Sequence, residues 1–143
     1  MYVKTNWQNL PSTNTPINAN NLNKIENELQ KLENITTGSG TVDMNFFSSV
    51  EQNAYVRSGN VVNYVLVATS NGSAWNTVQD LISNLPTAKT TLRFLGFNIN
   101  DNKILGFNMT NDGKIKSWYN SSSKIPSQGQ VLVINVTYIT KDD

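Results

Sequence analysis

The sequence contains no cysteine and no histidine. Without cysteine there is no disulfide framework, no thiolate metal site and no cysteine nucleophile. Without histidine the commonest general base and the commonest nitrogen metal ligand are both missing. Charge is scarce as well. Only 15% of residues are charged, and the net charge of +1 comes from scattered Lys and Arg that form no basic face for nucleic acid. No apolar run approaches the ~18 residues of a membrane helix, and "MYVKTNWQNLPST" has no apolar core of a signal peptide. The expectation is a chain that binds neither nucleic acid nor membrane. It would be made in a cytoplasm and leave only within a particle or by lysis. The polar surface must come mainly from Asn, Ser and Thr, which suits rigid, strand-rich surface proteins.

What is present divides into a short polar first part and a longer β-patterned part. Residues 1–17 read as an irregular arm, with Pro11 and Pro16 biasing their predecessors toward extended backbone. Trp7 and Leu10 are its apolar anchors; Trp7 packs either on its own chain or on a partner subunit. A helix follows over residues 18–36. Asn18 is a good N-cap, and Ile17 with Leu22 has the spacing of a hydrophobic staple. The competing start uses Thr15 as cap with Pro16 at the first helical position.

Leu22, Ile25, Leu29 and Leu32 are spaced three, four and three apart. This is an a/d seam of two heptads with polar flanks, narrower than the stripe of a helix lying on a globular core. It suits other helices of its own kind, and Leu at a with Ile at d leans toward three or four strands. Glu28 and Glu33 would meet as like charges in a parallel pair, which opposes that reading. The alternative is a helix packed on its own domain. "TTGSGT" then reads as a hinge, with residues 37–41 as the joint.

From residue 42 to 143 the period becomes two. Val61–Thr69 is a β-branched run ending at Asn71-Gly72. "LRFLGFNI" and "KILGFNMT" read as adjacent strands joined by "NDN", and "NDG" is a tight turn into "KIKSWY". "VLVINVTYIT" closes the chain. The stretch "SAWNTVQDLISNLPTAK" reads either as a strand through Trp75 or as a loop with a short helical turn. The fold class is mainly β: an antiparallel β-sandwich or jelly-roll head preceded by a short helix.

The acids between residues 42 and 141 are Asp43, Glu51, Asp80, Asp101 and Asp112. Asp101 and Asp112 lie in turn sequences that favour Asp. No pair stands out as the facing carboxylates of a glycosidase, and no phosphate-binding loop or calcium-loop spacing is present. No catalytic residue, cofactor or metal site is expected. Trp75, Trp118 and Tyr119 lie among amides and hydroxyls, as sugar platforms do, and their amphipathic rings are the physical basis. Asn76, Asn120 and Ser121 would be hydrogen-bonding neighbours. For Trp75 the reading as a buried core residue is the stronger of the two. Trp118 and Tyr119 are consecutive on a strand, so one points inward and the other out.

The segment "WQNLPSTNTPINANNLNKIE" resembles the start of many structural proteins of phages that infect Gram-positive bacteria. In those tail, baseplate and fibre proteins an aromatic residue and a polar turn precede a segment matched here by Thr15, Pro16, Ile17, Ala19, Leu22, Asn23, Ile25 and Glu26. It covers about the first quarter of the chain. From "AWNTV" to "VINVTYIT" the chain resembles the β-heads that finish phage fibres only in general pattern. The resemblance implies a non-enzymatic virion protein, assembled in the host cytoplasm. It implies a homotrimer whose bundle is built on Leu22, Ile25, Leu29 and Leu32. The arm, with Trp7, Leu10 and Ile17, would attach to other virion structural proteins. The head would bind a host cell-wall polysaccharide through Trp75, Asn76, Trp118, Tyr119, Asn120 and Ser121. Alternatives are a purely structural head-fibre or capsid-decoration protein, and a polysaccharide depolymerase.

Overall fold

The computed structural model describes residues 19–118 and 126–141; within it the side chains of Leu32 and Glu33 lie outside the description. The helix α1 spans Ala19–Glu33. Lys31 in its last turn pairs with Glu28 at 3.0 Å, a solvent-exposed contact of little energetic weight. The helix stops before Ile35-Thr36-Thr37, three β-branched residues that fit a pleated surface better than a helical turn. It therefore ends sooner than residue 36, and its cap lies outside the described residues.

Among the described residues nine strands follow: β1 (Ile35–Gly38), β2 (Thr41–Val42), β3 (Phe47–Ser58), β4 (Val61–Ser70), β5 (Asp80–Ser83), β6 (Leu92–Asn98), β7 (Lys103–Met109), β8 (Ile115–Ser117) and β9 (Val131–Ile139). They form one antiparallel sheet in the order β1-β3-β4-β9-β6-β7-β8-β5-β2. The mainly β, antiparallel expectation holds. The hydrogen bonding runs through a single curled sheet, where the sequence suggested two stacked ones.

The curl is forced by the chain. β1 and β2 are the two outermost strands, yet only Ser39 and Gly40 separate them. Three Cα–Cα steps reach at most about 11 Å, so the two edges must come together there. The segment expected to be a hinge is thus tied into the sheet at both ends. Ile35 to Gly38 pair with Ser58 to Tyr55, and Thr41 and Val42 pair with Ser83 and Ile82. Gly40 is buried, and a Cβ there would stand 2.7 Å from Ile82 Cγ2 and 2.9 Å from Leu85 Cδ2. No larger residue fits without displacing both side chains.

The concave side holds the core. On β4 the buried residues Val62, Tyr64, Leu66 and Ala68 alternate with more exposed ones, and β9 answers with Leu132, Ile134, Val136 and Tyr138. Leu81, Ile82, Leu105, Phe107, Met109 and Ile115 close the opposite wall. The sequence turns are where the pattern put them. Asn102 adopts a φ of 57° between β6 and β7, and Gly113 one of 77° before β8. "FLGFN" and "ILGFN" do lie on paired strands, with Phe97 opposite Ile104 and Leu95 opposite Gly106. "SAWNTVQDLIS" forms an irregular crossing and then β5.

Candidate functional site

Trp75 is not a surface platform. It is 4% exposed and sits edge-on to Phe47 (5.8 Å) and Phe107 (6.2 Å) at the centre of the core. Its sequence neighbours are polar, but the irregular segment turns the ring inward against residues from β3 and β7. Asn76 is committed to the same segment. Its Oδ1 accepts the backbone N–H groups of Val78 at 3.0 Å and Gln79 at 3.3 Å, and its own N–H donates to Gln79 Oε1 at 2.9 Å. Trp75 is corrected from a receptor candidate to a core residue, while Asn76 is half-exposed with its Oδ1 engaged within the segment.

Trp118 is half-buried on the convex side. Its backbone N–H donates to Gly106 O at 2.9 Å. The ring lies against Gly106, where any side chain would collide with it. The guanidinium of Arg93 stands 4.6 Å from the ring centroid, a cation–π contact. Two neighbours from β6 and β7 thus already claim much of this ring. Tyr119, Asn120 and Ser121 lie outside the described residues, as do Trp7, Leu10 and Ile17.

The described residues of the α1 seam differ in exposure. Among the described residues, no strand packs extensively along α1. Leu22 is half-buried, Ile25 is 57% exposed and Leu29 is 44% exposed. Leu32 completes the spacing, with its side chain outside the description. Ala19 and Glu26 on the same helix are buried. The core is closed by strands.

Sequence reasoning missed a second set of apolar residues, on the convex face. Leu95, Phe97, Ile99 and Ile104 are each about half exposed at the end of β6 and the start of β7. Val56, Val61 and Ile139, with Ile35, are similarly exposed at the end nearest α1. A signal was available: in "LRFLGFNI" both alternate sets are largely apolar, so one face alone cannot account for them.

Several charged groups form held pairs. Lys114 Nζ lies 3.0 Å from Asp80 Oδ2, and Lys116 Nζ lies 3.1 Å from Asp80 Oδ1. Burial raises the Asp80 carboxyl, but the hydrogen bonds and charges of Lys114 and Lys116 outweigh it and hold the group below the ordinary carboxylate range. Asp112 is also held low, first by a hydrogen bond from the Thr110 hydroxyl. Both are ionised at neutral pH, the state of structural ion pairs and not that of a proton donor. An open polar cleft lies between the end of α1 and the β3–β4 turn, lined by Glu28, Lys31, Asn34, Thr36, Arg57 and Asn60.

No protein-family model matches the chain, and no curated protein matches it.

Proposed function

We propose that this chain is a non-enzymatic phage virion protein of a tail, baseplate or fibre tip, homotrimeric through α1, whose β-head attaches to a host cell-surface glycan. The observation that supports it best is the exposed seam of Ile25 and Leu29 on a helix along which, among the described residues, no strand packs extensively. An isolated helix of this length is marginal in water. A seam of this spacing is matched by like helices. The β-head closes its own core with strands, and the Ile25 and Leu29 side chains of α1 remain exposed. With Trp75 buried, the receptor candidates are Asn76, Trp118, Tyr119, Asn120 and Ser121. The test is adsorption of the purified protein to host cell walls together with a glycan array. Saturable binding that Trp118→Ala or Tyr119→Ala weakens, with the fold intact, supports the reading.

A second reading is a purely structural head-fibre or capsid-decoration protein without a receptor site. It is favoured by the burial of Trp75 and by Arg93 and Gly106 occupying the Trp118 ring. Incorporation into particles without any adsorption to cell walls or glycans would select it.

A further inference from the structure

At the end of the sheet where α1 joins it, paired positions form a row on the convex face. Ile35 stands opposite Ser58, Ser58 opposite Val61, and Val61 opposite Ile139, crossing β1, β3, β4 and β9. Val56 lies two residues before Ser58 and so shares its face. Ile35, Val56, Val61 and Ile139 are 66%, 48%, 48% and 55% exposed, respectively. Only Asn34 separates α1, which carries Ile25 and Leu29, from β1, which begins with Ile35.

We propose that the α1 seam and this row form one continuous self-association surface, buried against further copies of this chain. Four observations point to a copy as the occupant. The seam has the period of a coiled coil and is too narrow to lie on a foreign sheet or globular surface. The row carries no ionised side chain, so identical faces meet without like-charge repulsion. Next to it, Asn63 Nδ2 donates to Asn135 Oδ1 at 2.9 Å and to Thr137 Oγ1 at 3.0 Å. These polar groups satisfy one another and cost less to cover. Finally, six side chains exposed to this degree offer roughly 500–600 Å², most of the ~800 Å² that each partner of a standard interface buries. The proposal rests on the bundle reading of α1. It does not depend on a virion or a glycan.

The test is sedimentation of the full chain across a concentration series, with circular dichroism as the folding control. The variants are Val61→Glu/Ile139→Glu, the milder Val61→Thr/Ile139→Thr, and Val78→Glu as a control at an exposed apolar residue outside the row. The Glu pair should raise the dissociation constant at least about tenfold and the Thr pair a few-fold, while Val78→Glu leaves it unchanged. If the Glu pair does not fold, the Thr pair decides. A wild-type chain that stays monomeric to about 100 µM, or folded row variants that associate like wild type, overturn the proposal. Intact assembly without adsorption to cell walls counts against the receptor reading alone.

Discussion

Asn53 and Gly40 exchange two hydrogen bonds across the closure of the sheet. Asn53 Nδ2 donates to Gly40 O at 2.6 Å, and Gly40 N–H donates to Asn53 Oδ1 at 3.1 Å. The side-chain amide acts as a strand residue would, pairing the link between β1 and β2 with β3. The Tyr64 hydroxyl donates to the same Oδ1 at 3.0 Å and ties the pair to the core. Asn53→Ala should leave Gly40 and Tyr64 without these partners and cost about 2–3 kcal/mol. Gly40→Ala should cost about 1–3 kcal/mol by overpacking against Ile82 and Leu85. Urea unfolding of each variant measures both.

The same closure sets where the β-domain starts. A chain beginning at residue 42 lacks β1 and Gly40 and exposes β3 as a long unpaired edge. A chain beginning at residue 34 keeps both. The shorter chain should unfold at lower urea and aggregate more readily, while the longer one keeps the full head's midpoint. Equal midpoints for the two would contradict the closure described here.

Trp75 should matter to stability and not directly to binding. Trp75→Ala removes the ring that Phe47 and Phe107 pack against and should cost about 3–5 kcal/mol. Any loss of adsorption in this variant should follow its loss of folded protein, measured by circular dichroism on the same sample.

Asp80 gives a pH dependence with a definite sign. Its folded carboxyl is held below the unfolded value, so its contribution is present above the unfolded carboxylate range near pH 4 and is lost as pH falls through the lower folded value. Asp80→Asn should therefore lower stability at pH 7, with a difference from wild type that shrinks below about pH 4. Thermal unfolding of both proteins from pH 7 down to pH 3 reads this directly.

Strands whose period was unbroken were legible in the sequence. β4 and β9 alternate cleanly, and "NDN" and "NDG" marked the turns on either side of β7. β1 and β2 were not legible, because Thr-Thr-Gly-Ser-Gly-Thr takes strand form only by pairing with β3 and β5. The start of β3 was blurred by register shifts between Phe47 and Ser49 and between Val50 and Gln52, which break the alternation. The core reading of Trp75 held, and its place among the receptor candidates did not, because polar sequence neighbours say nothing about spatial ones. Of the candidate site, the α1 seam was legible from its spacing. The convex apolar row was hidden, because pairing across four strands brings its members together.

The most direct measurement of the central claim is the solution mass of the full chain by sedimentation equilibrium at micromolar concentration. The protomer mass is 15.9 kDa. The account predicts a trimer, about three times that mass, which Leu29→Asp converts to folded monomer by forcing a charge into the seam. A wild-type protein that sediments as a 15.9 kDa monomer throughout would contradict it.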